Sequence, residues 1–521
     1  MAIFTAEERR VAGRIARLGH ANPFLPERIE CEREVLGDEF VESDANWDQR
    51  LGLLDEHLNV VRIKEHAGRV AEAARARLQR ASAATNEDLA LYEDLVVFLL
   101  YHRYRQRFDV LIDRALARDR GRVRVTFFDE FLADFRSFFV GPAQASDSLE
   151  QAAHYFAGVF QVRRAFKHIF QFLIGRSRPM AMLRAQIWQS IFTHDFGRYR
   201  RVLYERMRDL TCLITGPTGS GKELAARAIG MSRYIPFDPH TEKFTEDFHG
   251  SFIALNLPAF SPTLIESELF GHKRGAFTGA LQDRVGWLES CPARGTVFLD
   301  ELGEIEPRIQ VKLLRVIQER TFSRLGCAEE RSFAGKLIAA TNRDLARDMH
   351  EGRFRPDLYY RLCADLITTP GLREQLDDSP ETLDELVLFL AARVVGEEEG
   401  PGLAAEVGEW IGRELGADYA WPGNVRELEQ CVRNVLVRKH YSPPRVGVDE
   451  TFRSAFEREL WDGSLTADEL LRHYCSIVYA QCGSYRETGR RIDLDQRTVK
   501  AKIDPAVLAR LASSQGDVAE G

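Results

Sequence analysis

The sequence has no long apolar run. No stretch approaches the roughly 20 apolar residues that a membrane-spanning helix needs. The first ten residues include Glu7, Glu8, Arg9 and Arg10 and lack the basic-then-apolar pattern of a secretory signal. We therefore expect a cytoplasmic protein with no membrane contact.

Cysteine is sparse and has no pattern. The eight cysteines show no spacing typical of a zinc site or of a disulfide framework. Free thiols in a reducing compartment explain such a distribution best. The sequence therefore predicts neither disulfides nor a cysteine-bound metal.

An excess of positive charge is also missing. The chain has 71 Lys and Arg against 79 Asp and Glu, a formal net charge of −8. A protein that coats nucleic acid would be basic, so any DNA contact must come from a local patch. The length of 521 residues predicts about two to four domains.

Residues 1–172 have the pattern of helices, because apolar residues recur at intervals of three and four. Phenylalanine stripes indicate the core of a helix bundle or, alternatively, a pocket or a regulatory docking face. The pattern of a phosphoacceptor receiver is missing, so control by a partner protein or a small ligand is favoured over phosphorylation. The stripes are Phe128, Phe131, Phe135 and Phe138, then Phe156 and Phe160, and then Phe166 and Phe170.

Short apolar runs alternate with helical stretches over residues 173–377. Such alternation indicates a parallel sheet covered by helices on both faces. Residues 378–440 return to helical periodicity and predict a small lid. A linker at 441–464 and a short helical module at 465–512 follow. The apolar runs are 212–215, 252–256, 296–300, 337–341 and 365–368.

A glycine-rich loop follows the first apolar run and precedes a helical segment. In that context backbone N–H groups and the helix N-terminus bind phosphate, and a lysine adds positive charge. The loop predicts ATP and Mg²⁺ as cofactors. Glu223 stands where Ser or Thr usually gives magnesium a hydroxyl ligand, so that ligand stays unassigned. The loop residues are Gly216, Pro217, Thr218, Gly219, Ser220, Gly221 and Lys222.

Asp300 and Glu301 end the apolar run at 296–300. At the carboxyl end of a central strand, Asp300 would hold magnesium directly or through water. Glu301 would orient or activate the attacking water. The alternative is a charged cap on the end of a strand.

A second glycine-bracketed segment is rarer than the phosphate loop. Glycine at both ends lets the backbone form a mobile tip. An exposed Phe277 at that tip would be costly unless it meets a partner. The alternative is an ordinary glycine-rich turn with a buried phenylalanine. The segment consists of Gly275, Ala276, Phe277, Thr278, Gly279 and Ala280.

The run from Glu268 to Ala280 resembles the signature of the bacterial enhancer-binding proteins, the ATP-driven activators of sigma-54 RNA polymerase. The resemblance extends over about residues 173–440, and its motifs agree in order. It implies an AAA+ ATPase whose loop at 275–280 contacts the sigma factor. Glu223 after the P-loop lysine is common in this family.

The resemblance also implies roles for single residues. Asn256 matches an asparagine that can hold the catalytic glutamate in an inactive pose, and Asn342 matches the AAA+ sensor. Arg355 and Arg361 are both candidates for the finger that reaches a neighbour's γ-phosphate, which implies a homo-oligomeric ring, expected to be a hexamer. Arg361 could instead form a structural ion pair. Arg426 matches the second sensor on the lid.

Two stretches depart from the family pattern. One, at 230–251, is acidic and aromatic, and the other, at 192–208, precedes the P-loop strand. We expect both to be surface loops or helices.

Residues 483–503 resemble a helix-turn-helix of the Fis type. Gly489 is small where the helices would cross, and Asp493 tolerates the left-handed conformation of the turn. Residues 484–503 carry a net charge of +3, although any amphipathic helix pair could give this pattern. The predicted seam is Ile492, Leu494, Val499 and Ile503. The predicted DNA contacts are Gln496, Arg497 and Lys500 in the major groove and Thr498 on phosphate.

Together these patterns predict a multidomain protein. An α-helical N-terminal domain (1–172) precedes an α/β AAA+ P-loop ATPase (173–377) with a helical lid (378–440). The linker (441–464) leads to a helix-turn-helix (465–512). The expected function is ATP-driven activation of sigma-54 RNA polymerase from upstream double-stranded DNA. The alternatives are an AAA+ ATPase that remodels another protein and a binding module with an inactive ATP site.

Overall fold

The computed structural model describes residues 2–42, 57–80, 84–117, 123–139, 148–247, 252–443, 452–505 and 507–508. The chain divides into two compact units, Met1–Tyr441 and Ser442–Gly521. Within the described residues, no helix is long and apolar enough to cross a membrane. All eight cysteines are free thiols, as predicted. The predicted linker at 441–464 lies partly outside the described residues.

The N-terminal part of the first unit is helical, as predicted. Thr5 and Glu8 form a capping box at the start of its first helix, and Thr85 caps the fourth. The helices are α1 (Ala6–His20), α2 (Glu27–Leu36), α3 (Leu58–Leu78), α4 (Asn86–Leu116), α5 (Phe128–Phe138), α6 (Ser148–Phe172), α7 (Arg178–Phe192) and α8 (Phe196–Arg198), followed by a π-helical turn at Tyr199–Leu203.

The phenylalanine stripe of α5 forms the core of the helical region. Phe128, Phe131, Phe135 and Phe138 are all buried. The ring centroids of Phe131 and Phe156 lie 5.0 Å apart in an edge-to-face arrangement. The reading of this stripe as core is therefore confirmed.

A central five-stranded parallel sheet follows, in the order β11-β1-β10-β7-β4. Its strands coincide with the five apolar runs, so this prediction is confirmed. They are β1 (Cys212–Thr215), β4 (Phe252–Asn256), β7 (Thr296–Asp300), β10 (Lys336–Thr341) and β11 (Asp365–Thr368). Three short antiparallel pairs are β2–β3 (Phe237–Asp238, Lys243–Phe244), β5–β6 (Gly271–His272, Arg284–Val285) and β8–β9 (Thr321–Ser323, Glu330–Ser332).

Helices cover the sheet and form the lid. Around the sheet lie α9 (Lys222–Gly230), α10 (Pro262–Phe270), α11 (Trp287–Ser290), α12 (Pro307–Glu319), α13 (Leu345–His350) and α14 (Pro356–Leu362). The lid consists of α15 (Leu372–Asp378), α16 (Thr382–Val395), α17 (Gly400–Glu414) and α18 (Asn424–Arg438). The second unit holds α19 (Phe452–Trp461), α20 (Ala467–Cys482), α21 (Tyr485–Ile492) and α22 (Gln496–Lys502).

The acidic, aromatic stretch after α9 is not a surface loop, so that expectation is wrong. Phe237 and Phe244 of the β2–β3 pair are buried in the N-terminal helical core. The Phe244 ring stacks on Phe160 with centroids 4.0 Å apart, and Phe237 lies 4.7 Å from Phe156. Burial of these rings removes a large apolar area from water, which explains why the stretch packs inward.

The stretch ahead of the P-loop strand is helical, as one alternative predicted, but it is not a surface element throughout. Phe192 and Tyr199 are buried. The Tyr199 hydroxyl lies 2.6 Å from the Gln161 Nε2, which links the π-helical turn to α6. Both departures from the family pattern therefore join the N-terminal helices to the ATPase.

Candidate active site

The phosphate loop connects β1, which lies between β11 and β10 in the sheet, to the N-terminus of α9. Gly216 has φ 145°, and a Cβ there would lie 2.6 Å from the backbone carbonyl oxygen of Thr369. Only glycine fits such an approach. The Lys222 ammonium donates to the carbonyl oxygens of Gly216 (3.0 Å) and Pro217 (3.2 Å), so it lies across the loop that would receive the phosphates.

The positive and negative side chains of the site would be balanced by the phosphates and the magnesium ion of a bound nucleotide. Burial lowers the pKa of Lys222, while the charges of Glu301 and Asp300 oppose that shift. Burial raises the pKa of Asp300, and the neighbouring Glu301 charge raises it further. Two adjacent carboxylates at a strand end beside a phosphate loop are a suitable donor set for Mg²⁺, so the residues fit both cofactors.

Glu301 has a special backbone conformation. Its φ of 54° lies in the left-handed region, which is uncommon for a residue other than glycine. Its N–H donates to the Asp300 Oδ1 at 3.0 Å, and its Oε2 accepts a long hydrogen bond, 3.4 Å, from the Asn342 N–H. Strain of this kind is typical of functional positions. The alternative of a simple strand cap does not explain it.

Asn342 and Asn256 are placed differently relative to the phosphate loop. The Asn342 Nδ2 donates to the Thr218 Oγ1 at 2.9 Å, so the predicted sensor touches the phosphate loop. Asn256 lies opposite Asp300 in the β4–β7 register and is exposed. Among the described residues, no hydrogen bond joins Asn256 to Glu301. The inactive-pose role of Asn256 stays a prediction.

Glu223 is the second residue of α9 and bonds within its own helix. Its Oε1 accepts from the Arg227 Nε at 3.0 Å and Nη2 at 2.8 Å. An exposed pair of this kind contributes little to stability. Binding of Glu223 to a nucleotide or its magnesium would require this pair to open.

The lid contacts the phosphate loop through Asn424, which sequence reasoning missed as a site residue. Its Nδ2 donates to the Thr218 carbonyl oxygen at 2.9 Å, and its Oδ1 accepts from the Leu372 N–H at 2.7 Å. Asn424 has φ 54°. A Pro-Gly-Asn sequence ahead of a helix was the available signal, since asparagine adopts the left-handed region readily. Arg426 is exposed and lies beside Gly219. A Cβ added at Gly219 would lie 3.0 Å from the Cβ of Arg426.

The two finger candidates differ in their contacts. The Arg355 guanidinium forms a bidentate pair with Asp357, at 3.0 Å and 2.7 Å, on the exposed surface. Its backbone N–H is held by the Gln310 Oε1 at 2.9 Å. Arg361 is exposed and forms no ion pair with any residue that the structure describes. The structural ion-pair alternative for Arg361 therefore has no support.

The segment at 275–280 is a closed, hydrogen-bonded loop. The Gly275 N–H donates to the Ala280 carbonyl oxygen at 2.9 Å, and the Ala280 N–H to that of Phe277 at 3.0 Å. Gly275 and Gly279 have φ of 81° and 101°. Thr278 is exposed at the tip.

Phe277 is not the exposed apolar residue of this loop, so that expectation is wrong. Its ring packs edge-to-face on the buried His272, with centroids 5.0 Å apart, and is half-buried. Leu281, which sequence reasoning missed, is 81% exposed. An aromatic ring gains more from burial than a smaller side chain does, so the ring folds back and leaves Thr278 and Leu281 outward.

The helix pair α21–α22 has the predicted turn. Asp493 has φ 55°, and a Cβ on Gly489 would lie 2.5 Å from the Leu494 carbonyl oxygen. Val499 is fully buried, while Ile492, Leu494 and Ile503 are half-buried. The side chains of Gln496, Arg497 and Lys500 are exposed, and Thr498 is half-buried.

Residues 196–368 match the family model described as the sigma-54 interaction domain. The chain carries a sigma-54 interaction domain. This domain spans the phosphate loop, the loop at 275–280, Asp300, Glu301 and both finger candidates. The predicted resemblance to the sigma-54-dependent activators is thereby confirmed, and the domain belongs to the AAA+ ATPase family.

Several regulatory proteins are similar to part of this chain. The Nif-specific regulatory protein of Azotobacter vinelandii is 44% identical over 227 residues, which are 44% of this chain and 40% of that protein. ZraR of Escherichia coli (strain K12) is 42% identical over 229 residues, 44% of this chain and 47% of that protein. NtrC of Rhizobium meliloti (strain 1021) is 33% identical over 356 residues, 66% of this chain and 65% of that protein. The chain thus spans less than half the length of the first two relatives.

Among solved structures, NtrX from Brucella abortus in complex with ATP aligns with 71% of this chain and 77% of its own. The identity is 22% and the TM-score is 0.38.

Proposed function

We propose that this protein is an ATP-hydrolysing activator of sigma-54 RNA polymerase that binds DNA upstream of the promoter and remodels the closed complex. The observation that carries the proposal is the presence, in one sigma-54 interaction domain, of a P-loop, an Asp300–Glu301 pair and an exposed tip at Thr278. Such an activator works with RNA polymerase in the cytoplasm.

The proposed ATPase residues have separate roles. Lys222 and the N-terminus of α9 bind the phosphates, and Asp300 holds Mg²⁺, which would neutralise phosphate charge when bound. Glu301 orients the attacking water, and Asn342 reports the state of the phosphate loop to β10 through Thr218. Arg426 binds nucleotide from the lid of the same subunit.

Arg355 acts in a neighbouring subunit. Its exposed guanidinium, paired only with the equally exposed Asp357 among the described residues, can exchange that partner for a phosphate. Arg361, exposed six residues further along on α14, is the second candidate. A finger supplied from outside implies a homo-oligomeric ring, for which we propose a hexamer.

The purified protein is expected to capture sigma-54 only in a nucleotide state that mimics hydrolysis. Protein, sigma-54 and ADP with aluminium fluoride are mixed and separated by size exclusion, with ADP alone as the control. Co-elution in the aluminium fluoride sample supports the proposal. If sigma-54 elutes alone while the ATPase is active, the alternative of a remodelling ATPase with another protein target is correct.

Binding of upstream DNA rests on the second unit. Arg497 and Lys500 are exposed on α22 in a locally basic module. Lys502 on the same helix is instead paired with Asp468 of α20, which makes it a matched control.

Lys500→Ala and Arg497→Ala are each expected to weaken operator binding by about 1–3 kcal/mol, roughly 5- to 150-fold, if they contact bases. Lys502→Ala should change it much less. Gel-shift titration at fixed salt on an operator found by genome-wide footprinting measures these affinities. Equal losses for all three variants would mean that charge alone, and not the α22 face, governs binding.

A further inference from the structure

A cavity of about 570 Å³ lies between the N-terminal helices and the elements that precede the P-loop strand. Helices α1, α2, α3, α4 and α6 form one side of its wall, α3 through Val60 and Ile63. Helix α7 and the segment from Phe196 to Tyr204 form the other. The volume is within the range of small-molecule sites, about 300–1,000 Å³. None of the ATPase residues assigned above borders it.

The wall is largely aromatic. Phe166 and Trp188 face each other across α6 and α7 with centroids 4.8 Å apart, and Phe170, Phe98 and Phe196 add further rings. Trp188 is buried and the four phenylalanines are half-buried, and all five rings border the cavity. Such a surface favours a flat, apolar ligand.

The charged groups of the wall are matched by protein partners. The Arg163 guanidinium forms a bidentate pair with Asp109 at 3.0 Å and 2.7 Å. The Arg200 Nη2 donates to Glu93 at 2.7 Å and to Asp94 at 3.1 Å. A charged ligand would have to break these pairs, so the cavity favours a neutral one.

Glu32 supplies a directional contact. The side chain is 2% exposed, and its Oε1 pairs with Arg28 on the preceding turn of α2. Its Oε2 is buried and, among the residues that the structure describes, has no hydrogen-bond partner. A buried acceptor without a partner is costly. A ligand N–H or O–H satisfies it once the Glu32 side chain rotates toward the cavity, since this oxygen is covered in the observed rotamer.

Two further groups are consistent with such a ligand. Burial lowers the pKa of His102 well below its ordinary value, so the wall presents a neutral imidazole. The buried Nε of Arg200 has no acceptor among the described residues, and the face of an aromatic ring can accept from it.

Gly158 of α6 lies where the cavity leaves open space beside the helix. It lies in the interior of this helix, where glycine is unfavourable compared with alanine. A Cβ placed there meets no atom within 4 Å, and the residue borders the cavity. Gly68, inside α3, has equally free space but does not border the cavity, so it offers a matched control.

The wall is continuous with the helix of the P-loop. Ala225, Ala226 and Ile229 of α9 share one buried cluster with Ile169 of α6 and Trp188 of α7. A ligand that fixes α6 against α7 therefore binds next to the helices that pack on α9, the helix that begins at Lys222. We propose that this cavity binds a neutral aromatic molecule that carries an N–H or O–H donor. The site does not depend on the proposed sigma-54 activity.

The probe for this site is N-phenyl-1-naphthylamine, a neutral three-ring amine whose fluorescence rises in apolar surroundings. The full chain without nucleotide should bind it saturably, with one site per chain. Gly158→Leu should weaken binding at least tenfold, whereas Gly68→Leu should bind like wild type. Glu32→Gln, which replaces the free carboxylate oxygen, should weaken binding about tenfold.

Thermal unfolding of each variant shows whether a loss of probe binding comes from a filled cavity or from a loss of folding. Gly158→Leu and Gly68→Leu should unfold at similar temperatures, because both fill open space in a helix. If Gly158→Leu does not fold, the smaller Gly158→Ala replaces it and should weaken binding measurably. The proposal is overturned if wild type shows no saturable fluorescence rise, or if folded Gly158 and Gly68 variants bind the probe equally.

Discussion

The Glu301→Gln protein is expected to bind ATP like wild type and to hydrolyse it about 10²–10⁴-fold more slowly. Glutamine keeps the size of the side chain and an oxygen that can accept from the Asn342 N–H. It removes the negative charge that, in the proposed mechanism, would activate water beside Asp300. Phosphate release measures hydrolysis, and a fluorescent ATP analogue measures binding.

Glu304→Gln is the matched control for this variant. Glu304 lies three residues further on, is exposed, and pairs with Arg343 at 3.3 Å. It should hydrolyse ATP at a near-normal rate. Lys222→Ala should instead lose nucleotide binding, since the ammonium that spans the loop is gone. Near-normal turnover by Glu301→Gln would reject its role and leave it as a strand cap.

The sequence predicted well those features that depend on local pattern. The five central strands are short apolar runs, and their bounds follow from where the apolar residues stop. The P-loop depends on glycines whose conformations the loop itself requires. The left-handed Asp493 depends likewise on its position in a turn. In each case the determining interactions lie within a few residues.

Features that depend on distant packing could not be predicted. Phe237 and Phe244 have the pattern of a surface insertion, and only the rings of α6 make them core. The sequence predicts an exposed Phe277, because no apolar periodicity around His272 indicates that this histidine is its packing partner. Asn424 reaches Thr218 across more than 200 residues of sequence. Phe166 and Phe170 form a stripe like that of α5, yet they border a cavity.

Thr278→Ala should abolish activation of a sigma-54 promoter while ATP hydrolysis stays near normal. Thr278 is exposed on the loop tip, and its neighbours Gly275, Phe277 and Ala280 hold the loop closed through backbone hydrogen bonds. Loss of the hydroxyl should therefore leave the loop folded. In the aluminium fluoride state, this variant should fail to capture sigma-54, and open complexes should not form on promoter DNA.

The physical reason is a separation of chemistry from mechanical contact. In the proposed mechanism the phosphate loop and Glu301 would use ATP, and the outward face of the 275–280 loop would transmit the resulting movement to the sigma factor. Phe277→Ala is a less clean test, because it also removes the packing on His272. Leu281→Ala tests whether the contact extends past the glycines, since this side chain is 81% exposed. If Thr278→Ala and Phe277→Ala both activate like wild type, the tip is not the contact, and a remodelling ATPase with another target becomes the better interpretation.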